Sequence, residues 1–205
     1  RRIVSSPFVL INAIRKSRID NFVGGLIFGA IFSLFVNILT VGIQEKVHKQ
    51  RILEAVEWEI YNNSAEAGSI IDQAEKVFER KEKPSPFYSS PKYSDDVWRQ
   101  STEPMQYIAQ LPPETQGQVV VYYSVIVSGH NELSENNKAY FGKLMQDCYP
   151  IDGYSDEQIE SNCKLYYYQL VKNDLDSASS VFKSSHEVLD VFHPTQDRLN
   201  SWFLR

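Results

Sequence analysis

The chain has 205 residues, of which 42% are hydrophobic and 23% are charged, and it contains 9 glycines and 9 prolines. These values lie close to globular averages and therefore exclude a mainly disordered chain and a collagen-like repeat. Two cysteines are too few for a disulfide scaffold or a four-cysteine zinc site. The net charge of -5 argues against binding held by overall charge to a nucleic acid, so no nucleic-acid partner is expected.

Residues 1–19 combine apolar and basic side chains, since Phe8 and Ile11 are followed closely by Arg15 and Lys16. This combination is typical of a basic amphipathic segment that lies among lipid headgroups. We therefore expect membrane lipid to be a partner of this segment.

Residues 20–44 are predicted to form a transmembrane helix. No ionisable side chain occurs between Asn21 and Gln44, and about 22 residues rising roughly 1.5 Å each cover ~33 Å, enough to cross the hydrocarbon core. A cleaved signal peptide has an apolar region of only about 7 to 15 residues and a small-residue cleavage site. Because Glu45 and Lys46 follow this span directly, we expect a retained single-pass anchor.

Small or amide-bearing residues recur every four positions along the predicted span, at Asn21, Gly25, Gly29, Ser33 and Asn37. Gly25 and Gly29 form a GxxxG motif, which lets two helix backbones approach closely. The pattern predicts a face that packs against a membrane helix of a second copy or of a larger membrane complex. The alternative is that glycine and serine are simply frequent in membrane helices.

The two parts of the chain differ in charge. Residues 1–44 carry five Lys or Arg and one Asp, a net of +4, whereas residues 45–205 carry sixteen Lys or Arg and twenty-five Asp or Glu, a net of -9. The positive flank favours an N-terminus in the cytoplasm. In that orientation Cys148 and Cys163 would lie in an oxidising compartment and could pair in a disulfide; two reduced core thiols are the alternative.

A heptad-like stripe follows the span, with alternating steps of three and four residues. Its members are Leu53, Val56, Ile60, Asn63, Ala67 and Ile70, continued by Ala74 and Val77. The stripe predicts a coiled-coil seam in which a buried amide at Asn63 fixes register and partner number, unless Asn63 is exposed on a helix whose stripe drifts. Because residues 47–67 contain no glycine or proline, the membrane helix is expected to continue into this seam.

The rest of the chain is predicted to consist of helices joined by loops. Residues 81–96 contain three prolines and four serines, which is typical of a surface connection. The run Val119–Val127 is compatible with a strand, but steps of three and four that continue to Leu144 favour a helix. A last helix is expected to start with a capping box at Ser155 and to stop at Pro194.

These elements predict an all-α fold. It consists of the basic segment 1–19, one transmembrane helix at 20–44 and a soluble domain at 45–205 that includes the loop 81–96. The soluble domain is expected to be a coiled-coil-like antiparallel bundle of long helices.

No catalytic, cofactor-binding or metal-binding residue is predicted. His186 and His193 stand seven residues apart, whereas two-histidine metal sites on one helix use the i, i+4 spacing of HExxH. His130 falls in an apolar stripe, where a hydrogen-bonded core histidine is expected. A GxSxG elbow, a Walker loop and a dinucleotide-binding glycine loop do not occur in the sequence, so we expect neither an enzyme nor a cofactor.

Several short motifs follow the anchor: Leu53-Glu54-Ala55, Glu59-Ile60-x-x-Asn63, Leu111-Pro112, and Tyr122-Tyr123 with Asn131. In these motifs the sequence resembles a scattered group of uncharacterised bacterial single-pass membrane proteins with an N-terminal anchor and a helical soluble domain. The resemblance covers about half of the chain and implies no activity or site. It implies a domain that faces the cytoplasm, opposite to the orientation that the charges favour, so the side of the domain stays open.

The sequence supports two functional hypotheses. The first is a non-enzymatic scaffold or accessory subunit of the cell membrane that acts through helix–helix association. The second is an oligomeric channel-like or signalling effector, such as one of bacterial defence, that is gated through its helical domain.

Overall fold

A computed structural model describes the backbone of residues 7–80, 90–100, 102–148 and 156–203, and the side chains of 22–80, 90–100, 102–142, 161 and 163–193. Every regular element within these ranges is a helix. The helices are α1 (Pro7–Arg80), α2 (Asp96–Gln100), α3 (Glu103–Ile108), α4 (Pro113–Val121), a π-helix (Tyr122–Val127), α5 (Ser128–Cys148) and α6 (Asp156–Phe203). The predicted all-α fold class is therefore confirmed.

The chain separates into two compact units, Arg1–Gln50 and Arg51–Arg205, and α1 contributes residues to both. In the first unit α1 is long and apolar enough to cross a membrane, with a mean hydropathy of 2.3 over an 18-residue window. All its side chains from Phe22 to Val41 are exposed. Since a helix that is apolar on every side requires lipid or protein around it, this part of α1 is a candidate membrane span.

In the second unit, α6 runs antiparallel to residues 51–80 of α1. It also runs antiparallel to the π-helix and α5. Contacts between α1 and α6 are Glu57 with His193, Ser64 with His186 and Gly68 with Phe182. Contacts of the π-helix and α5 with α6 are Tyr122 with Ser185, His130 with Ser177 and Asn137 with Asp174. Residue numbers fall along α6 as they rise along its partners, which defines an antiparallel bundle.

Among the described residues, the core of the second unit contains two apolar clusters. The larger one joins α1, α6 and the π-helix, and its most buried members include Val56, Ile60, Tyr93, Ile108, Val119, Tyr122, Tyr123, Val127, Val181 and Phe192. The smaller one gathers Ala74, Phe141, Tyr167, Leu170 and Val171. Full burial of one large apolar side chain stabilises a fold by about 1.5 to 3 kcal/mol. These clusters therefore stabilise the packing of α1, of the π-helix with α5, and of α6.

Prolines stand at the starts of two short helices, α3 and α4. Thr102 is the N-cap residue of α3, with Pro104 in the first turn, and Pro113 opens α4. Proline fits these positions because the first N–H groups of a helix have no intrahelical acceptor. Of the predicted loop 81–96, residues 90–95 are non-helical, and residues 81–89 lie outside the described residues.

The prediction that the last helix stops at Pro194 is wrong. The backbone of α6 continues through this residue to Phe203. A proline inside a helix removes one backbone hydrogen bond, but its φ of about -65° suits helical geometry, so the residue weakens a helix without always ending it.

The buried face of α5 matches the predicted stripe only in part. The stripe passes through His130 and Leu133, which are half-buried, and through Tyr140, which is exposed, whereas Asn131, Ser134 and Phe141 are buried instead. Asn137, which also belongs to the predicted stripe, is buried as predicted. A π-helix closes its hydrogen bonds from i to i+5, so one additional residue enters the turn and rotates the side chains that follow.

Candidate functional site

The predicted helix-packing face of the candidate span is open. Ser33 and Asn37 are exposed, and a Cβ added at Gly25 or Gly29 would meet no atom within 4 Å in the described part of the chain. The side chain of Asn21 lies outside the described residues. A second helix could approach this face closely, because nothing larger than a hydroxyl or an amide projects from its described positions.

The predicted seam lies in the core of the second unit. Leu53, Val56, Ile60, Asn63 and Ala67 are buried, and Ile70 is half-buried. The seam packs against other segments of the same chain, and the Val56 carbonyl accepts a hydrogen bond of 3.4 Å from the Tyr123 hydroxyl. The partner of this seam is therefore intramolecular in the bundle.

Two buried asparagines hold residues 90–97, which we call the clamped segment. The Asn63 amide of α1 donates to the Ser94 carbonyl and accepts from the Ser94 N–H, both at 2.8 Å. From α5, the Asn131 amide makes the same pair with Tyr93, both at 2.9 Å. Irregular backbone inside a protein needs such partners, because an unpaired buried N–H or C=O costs free energy. Two successive residues are thus fixed by two different helices.

Glu59 extends this clamp towards α2. Its Oε1 accepts hydrogen bonds from the Ser94 hydroxyl at 2.7 Å and from the Val97 N–H at 3.0 Å. One residue further, the Trp98 ring stacks on Tyr123 with centroids 4.8 Å apart and planes 4° apart. Burial raises the pKa of the Tyr123 phenol, so this ring stays neutral at any physiological pH.

Asp174 of α6 anchors the beginning of the clamped segment. Its two carboxylate oxygens accept hydrogen bonds from the Ser90 hydroxyl at 3.0 Å and from the Asn137 amide at 2.9 Å. The residue is 3% exposed, and burial raises the pKa of its carboxyl group from 3.8 to about 7. Asp174 therefore titrates near neutral pH while it is hydrogen-bonded to two other elements.

His130 is hydrogen-bonded, as the sequence predicts, although it is half-buried and not part of the core. Its Nδ1 lies 2.6 Å from the Ser177 hydroxyl of α6. Burial lowers the pKa of this imidazole, which favours the neutral ring. The pair joins α5 to α6, so its geometry is that of a structural contact.

A surface groove lies between α1 and α6 of the second unit, and we call it the acidic groove. It has a volume of about 460 Å³ and is lined by Glu54, Glu57, Trp58, Tyr61, Asp190 and His193, among others. The Trp58 and Tyr61 rings stack with centroids 5.7 Å apart and planes 20° apart. His193 Nδ1 lies 2.7 Å from Glu57 Oε1. The groove thus combines carboxylates with an aromatic pair.

The other described histidine of α6, His186, lies within hydrogen-bonding distance of two oxygen atoms. His186 Nδ1 lies 2.9 Å from the Phe182 carbonyl and 3.4 Å from the Ser64 hydroxyl. Among the residues whose side chains are described, no three His, Cys, Asp or Glu residues are arranged to hold a metal ion. The two histidines that stand seven residues apart therefore have separate partners.

The cysteine prediction falls partly outside the described side chains. Cys163 is half-buried on α6 and is disulfide-bonded. Cys148, the only other cysteine of the sequence, ends α5, and its side chain lies outside the described residues. The pairing of Cys148 with Cys163 thus stays a prediction.

Sequence reasoning did not identify the clamped segment, Asp174 or the acidic groove. A signal for the groove is present, because Trp58 and Tyr61 lie three residues apart and outside the apolar seam, next to Glu54 and Glu57. No protein family matches the sequence, and no curated protein or solved structure is significantly similar to it. Function is therefore inferred from the residues and their geometry.

Proposed function

We propose that this chain is a single-pass membrane protein without enzymatic activity, which acts as a scaffold or accessory subunit. The first part of α1 associates with copies of itself or with a larger membrane complex, and the helical bundle is the interaction module. The observation that carries this proposal is the open face of small and amide-bearing residues on an otherwise bulky apolar helix, formed by Gly25, Gly29, Ser33 and Asn37.

The seam of the bundle is buried against other segments of the same chain, so a partner would bind the outer surface of the bundle and not the seam. The buried seam residues contact the clamped segment and α6, so association through α1 is left to the span. Residues 45–205 carry a net charge of -9, which favours cationic partners and disfavours nucleic acid.

We predict that Gly29→Ile weakens association of the full chain in an uncharged detergent by about tenfold, or ~1.4 kcal/mol. The added side chain fits the isolated helix, since no atom of the described residues lies within 4 Å of a Cβ at Gly29, but it separates two helices packed on this face. Light-scattering mass of the purified particle, measured over a dilution series, gives the association constant.

Gly42→Ile is the matched control. An added Cβ at Gly42 would also meet no atom within 4 Å in the part of the chain that the structure describes. Gly42 lies five residues beyond Asn37, about 140° around the helix. We expect this variant to associate like the unmodified chain. A strictly monomeric unmodified particle without a companion chain would remove the proposal, and equal association of both variants would remove the assigned face.

A second candidate function is an oligomeric channel-like or signalling effector gated through the bundle. The observation that favours it is that α1, Pro7–Arg80, contains both the candidate span and the buried seam in one helix. Expression in cells with and without candidate partners tests it, by growth and by ion leakage. Normal growth and intact ion gradients under all conditions would count against an effector.

A further inference from the structure

The described lining of the acidic groove includes two exposed aromatic side chains, Trp58 and Tyr61. Trp58 is 63% exposed and Tyr61 is 54% exposed, although both lie on the same helix as the buried seam. Their rings stack on one another, with centroids 5.7 Å apart. Tryptophan and tyrosine in a concave surface are the side chains most often found at the energetic centre of protein interfaces.

Three carboxylates line the same groove, from Glu54 and Glu57 on α1 and from Asp190 on α6. Glu57 lies 2.7 Å from His193, which is charged only when it is protonated. In the described lining of the groove, the Glu57 and Asp190 carboxylates therefore place negative charge next to two aromatic rings. Both features attract a cation, the first by Coulomb attraction and the second through the ring quadrupole.

We propose that the acidic groove binds an arginine side chain presented by a partner protein. This inference rests on the proposed function, because it names the chemistry of the partner that the interaction module receives. The guanidinium group fits both features of the groove, since its plane stacks on an aromatic face while its N–H groups donate to carboxylates in pairs. A quaternary ammonium has no N–H to donate, and an ammonium has no plane to stack.

The partner is a chain other than a second bundle. Residues 45–205 carry a net charge of -9, so the overall charge disfavours a second bundle as the partner. A groove of about 460 Å³ accommodates one arginine together with its neighbouring backbone, because small-ligand pockets occupy about 300 to 1,000 Å³.

The full chain in an uncharged detergent is titrated with N-acetyl-arginine amide, with the lysine analogue and with the neutral isostere N-acetyl-citrulline amide. The indole N–H resonance of Trp58 reports binding, and it is assigned with Trp58→Phe. We expect saturable shifts with arginine, weaker binding of lysine and none of citrulline. Equal shifts with arginine and citrulline, or no shift with arginine, would overturn the proposal.

Two variants test the residues named. We expect Asp190→Asn to weaken arginine binding by about fivefold and Trp58→Ala to abolish detectable saturation by isothermal titration calorimetry. The matched controls are Asp176→Asn, an exposed aspartate on α6, and Tyr166→Ala, an exposed aromatic outside the groove. Controls that weaken binding as much as their counterparts would contradict the assigned site.

The two proposals fail separately. Arginine binding that persists while the Gly29→Ile and Gly42→Ile variants associate equally supports the groove and removes the assigned helix face. Association that depends on Gly29 without any arginine binding removes the groove alone.

Discussion

Replacing Asn131 by alanine should lower the free energy of unfolding of the second unit by about 2 to 4 kcal/mol. The amide is the hydrogen-bond partner of the N–H and the C=O of Tyr93, and all these groups are buried. Alanine leaves the Tyr93 N–H and C=O without partners, and each unpaired buried group costs about 1 to 3 kcal/mol. A water molecule that enters the space and hydrogen-bonds to these groups reduces this loss. Urea unfolding of the full chain in an uncharged detergent, followed by near-ultraviolet circular dichroism, measures the change.

Asn136→Ala is the control for Asn131→Ala. Asn136 lies on the same helix and is exposed, so its loss should change the free energy of unfolding by less than about 0.5 kcal/mol. Asn63→Ala should also destabilise the bundle, because Ser94 loses its two partners. If both asparagines hold one segment, the double variant loses less than the two single losses added together. Full additivity would contradict a single clamped unit.

The all-α class was predictable because apolar residues at steps of three and four bury one face of a helix. Leu53, Val56 and Ile60 are the clearest case, since all three are buried as the seam predicts. Periodicity also separated helix from strand after Val119, where composition alone was ambiguous. A periodic pattern that extends over many residues is little affected by single exceptions, so it predicts the fold class better than it predicts local details.

The register of α5 and the end of α6 were not predictable in this way. The π-helix Tyr122–Val127 places both Tyr122 and Tyr123 in the core at 1% exposure, and no short motif marks such an insertion. Tertiary packing decides whether the additional residue is accommodated. At Pro194 a local rule about helix ends was overridden by the continuing backbone of α6.

Features that join distant residues were the least predictable from the sequence. Asn63 could be identified as a buried amide, but its partner Ser94 is 31 residues away in an irregular segment. Asn131 is 38 residues from Tyr93, and the acidic groove joins Glu57 to His193 across 136 residues. One-dimensional patterns contain the chemistry of each side chain, whereas the pairing depends on how three helices and a loop pack.

The position of Asp174 connects the clamped segment to pH. This carboxyl group is 3% exposed, and its pKa is raised from 3.8 to about 7 because burial penalises the charged form. Its hydrogen bonds from Ser90 and Asn137 favour the carboxylate and limit that penalty. Above pH 7 the folded protein contains a buried carboxylate at Asp174, which lowers the free energy of unfolding. The clamped segment is affected because Ser90 donates a hydrogen bond to this carboxylate.

The sign of the effect follows from proton binding. Between pH 3.8 and about 7 the folded Asp174 retains a proton that the unfolded chain has released, so its contribution to stability is full below 3.8 and is lost as the pH rises to about 7. His130 acts in the opposite direction, because burial lowers its pKa and stability is lost as the pH falls below the unfolded value of 6.5. The effects of Asp174 and His130 on the pH dependence of stability partly cancel near pH 6. The effect of Asp174 is therefore measured as the difference in unfolding free energy between an Asp174 variant and the unmodified chain.

Asp174→Asn should therefore stabilise the bundle relative to the unmodified chain by about 2 to 4 kcal/mol at pH 8, and by much less at pH 4. An asparagine keeps an oxygen acceptor for Asn137 and an amide for Ser90, while it removes the buried charge. Urea unfolding at each pH gives the difference, and Asp176→Asn, at an exposed position on the same helix, is the control. A difference between Asp174→Asn and the unmodified chain that stays constant from pH 4 to 8 would show that this carboxyl group does not titrate on folding.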